Sequence, residues 1–260
     1  MTAFTIDAHG QWDAQNVSSD TLPAFTTTKA NDVLILAVSL DASTNVDVSG
    51  VSGGGLTWAL RKKKITIVSG PLYCDVEEWW AYQASAGSVT VVVSLSGTAI
   101  FVNAACIAVN GCTTPSSPFD SNSSVPASGS SESSINISTS NSYDFIIGLL
   151  TCSYVDMPGF GSGYSPWPGT GSGSSNYEYG SGFEYQIVSQ KETNFAVNFS
   201  ESNPFCIVAD ALAGTLPSVS YVPSCEGDGL AWVCQITKKH VPKLVPWTKR
   251  FPKFVPRIVA

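Results

Sequence analysis

Asp75, Glu77 and Glu78 stand together in the segment CDVEEWWAYQ. Two carboxyl groups held across one face of a β-sheet are what glycoside hydrolysis requires. In an extended strand Glu77 and Glu78 point to opposite faces, whereas Asp75 and Glu77 share one, about 7 Å apart at the usual rise per residue. A solvated strand face carries the same pattern, and that is the expectation for these three residues. Asp32 and Asp144 each precede an apolar run, a position at which aspartate ordinarily caps a turn; no Asx-rich loop makes them calcium ligands. His9 and His240 are the only histidines, too peripheral for a Ser-His-Asp or Cys-His site and without partners at zinc-ligand spacing. The residues therefore predict no enzyme, no cofactor and no metal.

A second group of residues suits recognition. Between Asp156 and Gly182, Phe160, Tyr164, Trp167, Tyr177 and Tyr179 are interleaved with Gly, Ser and Pro. A long loop of this composition could stack on sugars or clasp a partner; the alternative is that Tyr164 and Trp167 fold back onto the body. Arg61 to Lys64, the sequence RKKK, is the only basic cluster outside the last segment and reads as a solvated hairpin turn. Its acidic surroundings argue against nucleic acid. Seven cysteines include no C-x2-C pair. Cys225 and Cys234 bracket a short hairpin that a disulfide could close, while Cys106 and Cys206 lie in apolar runs and read as small buried hydrophobes.

The charge is divided along the chain. Residues 1–237 carry all twenty acidic residues and six basic ones, a net −14, whereas 238–260 carry seven basic residues and no acid. In KKHVPKLVPWTKRFPKFVPRIVA, prolines at 242, 246, 252 and 256 forbid a continuous helix or a central strand. The segment reads as an extended arm that could span on the order of 70 Å in polyproline geometry. Lys238, Lys239, Lys243, Lys249, Arg250, Lys253 and Arg257 supply the charge; Leu244, Val245, Trp247, Phe251 and Phe254 demand burial. Nucleic-acid arms and disordered ends remain alternatives, but the apolar content favours a protein groove, with the cations meeting an acidic neighbour.

The elements that must position these residues are short strands. The chain is 43% hydrophobic and 13% charged, rich in Gly, Ser, Thr, Val and aromatics, which favours strands joined by polar turns. No apolar run reaches the roughly 20 residues of a membrane helix, and MTAFTIDAHGQWD lacks the pattern of a secretory signal. Four sequons, at Asn16, Asn122, Asn136 and Asn198, are as easily produced by a Ser-rich composition. Thr26–Val38 matches Ser138–Leu150, the region of Glu78 matches that of Glu184, Val89–Gly97 matches Phe195–Ser202, and Ile100–Gly111 matches Asn203–Gly214. Four matches in order imply an internal duplication: two pseudo-repeats, about 1–114 and 115–217, forming facing sheets related by a pseudo-twofold. VLILAV, residues 33–38, reads as a central strand covered on both sides. Val76, Glu78 and Trp80 should share one strand face and Glu77, Trp79 and Ala81 the other.

An acidic turn before VLILAV, a Gly-rich turn into GGGLTWAL, the acid-aromatic strand EEWWAYQ, VTVVVSLSG, and AVNG followed by SPFD form a pattern over roughly residues 1–215. It resembles a family of jelly-roll proteins of phages, archaeal viruses and prokaryotic surfaces. The resemblance implies an all-β fold, a jelly-roll (Greek-key) β-sandwich at 1–217; the hairpin or linker expected at 218–237 and the basic C-terminal arm at 238–260 depart from the family pattern and rest on their own residues. It implies a non-enzymatic structural protein of a virion or cell surface, such as a capsid decoration, spike, turret or fibre component, located on the virion surface or extracellularly. Its expected partners are other copies of itself or a capsid or surface-lattice protein, with no nucleic acid and no membrane span. The alternative is a carbohydrate-binding adhesin module that uses loop 156–182 on a host glycan.

Overall fold

The computed structural model describes residues 3–69, 72–153, 159–169, 179–200, 204–216, 222–227 and 232–237. Every helix or strand among them is a strand. The first eight are β1 (Thr5–Thr21), β2 (Phe25–Thr26), β3 (Asp32–Ala42), β4 (Val48–Ser52), β5 (Ala59–Ser69), β6 (Leu72–Gln83), β7 (Ser88–Val89) and β8 (Val92–Asn110). They are followed by β9 (Ala127–Ser130), β10 (Ser134–Ile137), β11 (Asp144–Ser153), β12 (Ser165–Pro166), β13 (Tyr179–Val188), β14 (Phe195–Asn198) and β15 (Pro204–Ala213), and then by β16 (Val222–Gly227) and β17 (Trp232–Thr237). No helix among the described residues is long and apolar enough to cross a membrane.

The chain divides into two compact units, Met1–Leu216 and Pro217–Ala260. In the first, one large sheet has the order β1-β8-β3-β6-β5 with β4 also on β8, and a second has the order β12-β13-β11-β15-β9. Two short pairs, β2 with β7 and β10 with β14, complete it, and all pairings are antiparallel. In the second unit, β16 pairs β17 with Cys225 directly opposite Cys234. That backbone register is the expected hairpin; a bond between the two sulfurs lies outside the described side chains, as does the whole arm 238–260.

Hydrophobic cores sit on both faces of each large sheet, an arrangement consistent with a β-sandwich. Between the sheets, Val33, Ile35 and Ala37 of β3 and Ile107 of β8 pack with Phe145, Ile147 and Leu149 of β11 and Val208 of β15. On the other face of β3, Leu34, Leu36, Val38 and Leu40 pack with Trp58, Val89, Val91 and Val93. On the far face of the second sheet, Ile146, Ala209 and Ala211 meet Ile137 and Val197 of the β10–β14 pair. This explains the sequence of β3. A strand covered on both sides needs apolar residues at odd and even positions alike, and each such side chain contributes about 1.5–3 kcal/mol on full burial. The alternation expected for β6 also holds: Val76 and Trp80 join the core between the sheets, while Trp79 and Ala81 join the opposite one. Cys106 and Cys206 are fully buried thiols, as expected.

Candidate functional site

The acid-rich strand β6 is central in its sheet, hydrogen-bonded to β3 on one side and β5 on the other. The expectation of a solvated face is overturned: Asp75, Glu77 and Glu78 are each 0% exposed. What sequence reasoning missed is the cover. β4 lies over the Asp75–Glu77 face, and its Val48 N–H donates to Glu77 Oε1 at 2.9 Å. The indole Nε1 of Trp79 donates to Glu77 Oε2 at 2.7 Å. No donor among the described residues reaches either oxygen of Asp75. Burial, followed by the negative charge of Glu77, pushes the Asp75 carboxyl up to about 10. At neutral pH Asp75 is an acid that keeps its proton.

On the opposite face Glu78 points between the two large sheets and meets Asp210 of β15. Arg61 spans that gap: its Nε donates to Asp210 Oδ2 at 2.7 Å and its Nη2 to Oδ1 at 3.3 Å. The guanidinium lies 4.0 Å from the ring centroid of Phe119, and Phe119 meets Trp80 edge-on at 5.3 Å. Burial, then the neighbouring charge of Asp210, raises Glu78 well above the ordinary glutamate range. Burial raises Asp210 too, against the lowering effect of Arg61. One cation thus faces two carboxyls, each of which burial pushes toward its neutral form. Arg61 to Lys64 is therefore no hairpin turn: the run lies within β5, and a register shift between Leu60 and Lys62 sets Arg61 apart. The signal available in the sequence was the single acid in the apolar run FCIVADAL.

Asp41 and Glu184 are also buried. Burial raises Asp41 to about 7, against a hydrogen bond with Cys74 that lowers it, and raises Glu184 to about 8, against a hydrogen bond from Gly161 N–H. Glu184 lies opposite Gly148, as Trp79 lies opposite Leu36. The sequence match of Glu78 with Glu184 is thus one residue out of step with the strand pairing. Because strand side chains alternate, that one residue puts Glu78 between the sheets and Glu184 on an outer face.

Asp32 and Asp144 are buried strand-entry residues, each raised to about 6, chiefly by burial. Asp32 accepts from Asn110 Nδ2 at 2.9 Å. The loop before each is held by a different acid. Asp7 accepts from the backbone N–H of Thr28 and Lys29; Asp120 accepts from that of Ser140 and Asn141. A second bracket recurs likewise. Thr27 N–H donates to Gly87 O while Gly87 N–H donates to Thr27 Oγ1. Thr139 N–H donates to Glu192 O while Glu192 N–H donates to Thr139 Oγ1. No group of three His, Cys, Asp or Glu residues among those described could hold a metal ion.

The aromatic segment turns inward where it is described. Trp167 is 0% exposed and donates its indole N–H to Glu184 O at 3.1 Å. It packs against Phe183, Tyr164 against Phe195, and Phe160 against Phe199. Tyr177 and the side chain of Tyr179 lie outside the described residues. His9 is exposed on β1, and His240 falls in the arm. An open pocket of about 560 Å³ is lined by Asn31, Asn110, Cys112, Pro115 and Thr215. It gathers neither the β6 acids nor the aromatics.

Comparison with protein-family models, with curated proteins and with solved structures finds no match for this chain.

Proposed function

We propose that the chain is a non-enzymatic structural subunit of a virion or cell surface, with a duplicated jelly-roll body that attaches through residues 238–260. The observation that carries this reading is the division of charge, −14 over residues 1–237 against seven cations and no acid in 238–260. Opposite charge on two parts of one chain suits copies that bind one another, or a shared lattice, through the arm. The chemistry of the body points the same way. Its carboxyl groups on β6 are all fully buried, with Glu77 held by two donors, as in a rigid support, and are closed to a polysaccharide.

Support for duplication comes from the repeated brackets. Thr27 and Thr139, and Thr28 and Ser140, differ by 112 in number, and the acids Asp7 and Asp120 by 113. The strand orders β1-β8-β3-β6-β5 and β9-β15-β11-β13-β12 also run in parallel. Trp167, Tyr164 and Phe160 pack on the body, which at those three residues favours the structural reading over the glycan-binding alternative.

Removing residues 238–260 tests the reading. The shortened chain should keep the far-ultraviolet β signature and cooperative unfolding of the full chain, yet form no particles in electron micrographs under conditions where the full chain does. Assembly unchanged by the deletion would overturn it.

A further inference from the structure

We infer that the arm acts as a donated β-strand, pairing through its odd-numbered residues with the outer edge of β1 in a second copy of the chain. This rests on the anchoring role proposed above and names the mode and the partner surface. In an extended strand, successive N–H groups point to opposite edges. Proline is tolerated in a sheet where its missing N–H faces away from the neighbouring strand. All four prolines of the arm, 242, 246, 252 and 256, are even-numbered. They remove donors from one edge only. The other edge keeps every N–H from Val241 through Val259. Such a strand can join a sheet on one side and blocks further addition on the other, which is how an open edge is closed without leading to aggregation.

The first unit presents a suitable edge. β1 ends the six-stranded sheet, spans 17 residues and pairs only with β8. Among the described residues no backbone hydrogen bond reaches its outer edge between Ala8 and Gln15, where the register with β8 is unbroken. Exposed His9, Gln11, Asp13 and Gln15 alternate with half-buried Ala8, Gly10, Trp12 and Ala14. β1 carries Asp7, Asp13 and Asp20 and no Lys or Arg. The strand at the other end of this sheet, β5, carries Arg61, Lys62, Lys63 and Lys64 and repels a cationic partner. β9 and β12, which end the second sheet, have four and two residues.

The arm matches β1 in charge, since Lys243, Lys249, Lys253 and Arg257 would meet a strand with three aspartates and no cation. Val245, Trp247 and Phe251 at odd positions and Leu244, Phe254 and Ile258 at even ones give both faces of such a strand apolar surface to bury. Main-chain bonds would supply affinity and the alternating side chains register, as in other additions of an extended segment to a sheet edge.

A parity-resolved proline scan of the full chain tests this, with the association constant read from concentration-dependent light scattering. Phe251→Pro removes an odd N–H and Phe254→Pro an even one, and the alanine variants at the same positions correct for the lost rings. Phe251→Pro should weaken association at least about tenfold beyond Phe251→Ala, while Phe254→Pro should match Phe254→Ala. Hydrogen exchange of the full chain should be slowed at β1 amides relative to Phe251→Pro, with no change at β5. Equal effects at the two parities, or protection at β5 in place of β1, overturn the donated strand. Protected β1 amides in a monomer overturn the second copy as the acceptor. Where deletion of 238–260 leaves association unchanged, the anchoring reading falls with it; where deletion abolishes association but parity has no effect, only the strand inference falls.

Discussion

The two faces of β6 bury carboxyl groups one residue apart and neutralise them differently. Toward the second sheet, Glu78 shares its surroundings with Asp210 and with Arg61, contributed by the other sheet and by the neighbouring strand respectively. On the opposite face Glu77 is satisfied by Val48 N–H and the Trp79 indole, and Asp75 beside it keeps a proton. The first arrangement joins two sheets through a charge that one residue supplies. The second is local to one sheet and its β4 cover. The difference teaches that buried acids on one strand can serve as a tie between layers on one side and as a packing element on the other.

The largest expected effect comes from removing the cation. Arg61→Met leaves Asp210 and Glu78 facing each other without it, and breaking a buried ion pair from one side costs about 3–5 kcal/mol. Denaturant unfolding should show that loss, and adding Asp210→Asn should restore most of it; an unaffected single variant would remove the tie between sheets from the account. Glu77→Gln comes next. Its amide nitrogen cannot accept from both Val48 and Trp79, leaving one buried donor unpaired at about 1–3 kcal/mol.

Acidity supplies the third contrast. Folded, Asp41, Glu184 and Asp75 hold protons up to about 7, about 8 and about 10, whereas in an unfolded chain carboxyls release them near pH 4. The folded state therefore binds more protons, and stability falls as pH rises from about 4 through these values. The slope is about 1.4 kcal/mol per pH unit for each group still protonated only when folded. Unfolding midpoints between pH 5 and pH 8 measure it, and Asp75→Asn should flatten the profile; stability rising over that range would contradict the assignment. The smallest effect is that of Asp75→Asn near pH 4, where the folded acid is neutral and the unfolded one is only half ionised, so the unfolding free energy should move by less than about 1 kcal/mol.

Much of the scaffold was legible in the sequence because it rests on local pattern. VLILAV is apolar at every position and is covered on both faces; the alternation about Trp79 and Trp80 assigned the faces of β6 correctly. The cysteine runs at 106 and 206 identified buried strands. What stayed hidden depends on elements remote in sequence. Asp75 and Glu77 look solvated until β4 is laid over them, and Arg61 looks like a turn residue until Asp210, 149 positions later, pairs with it. Trp167 looks like a ligand platform until β13 supplies Phe183 and the Glu184 carbonyl. An isolated acid in an apolar strand marks such a long-range partner without saying which residue it is.

The most direct measurement of the central proposal is the molar mass in solution of the full chain and of residues 1–237, by light scattering after size exclusion at low and high salt. The account predicts a defined oligomer for the full chain, weaker at high salt because cations meet acids, and a monomer for the shortened chain. The same number of subunits in both at low salt would contradict attachment between copies through residues 238–260.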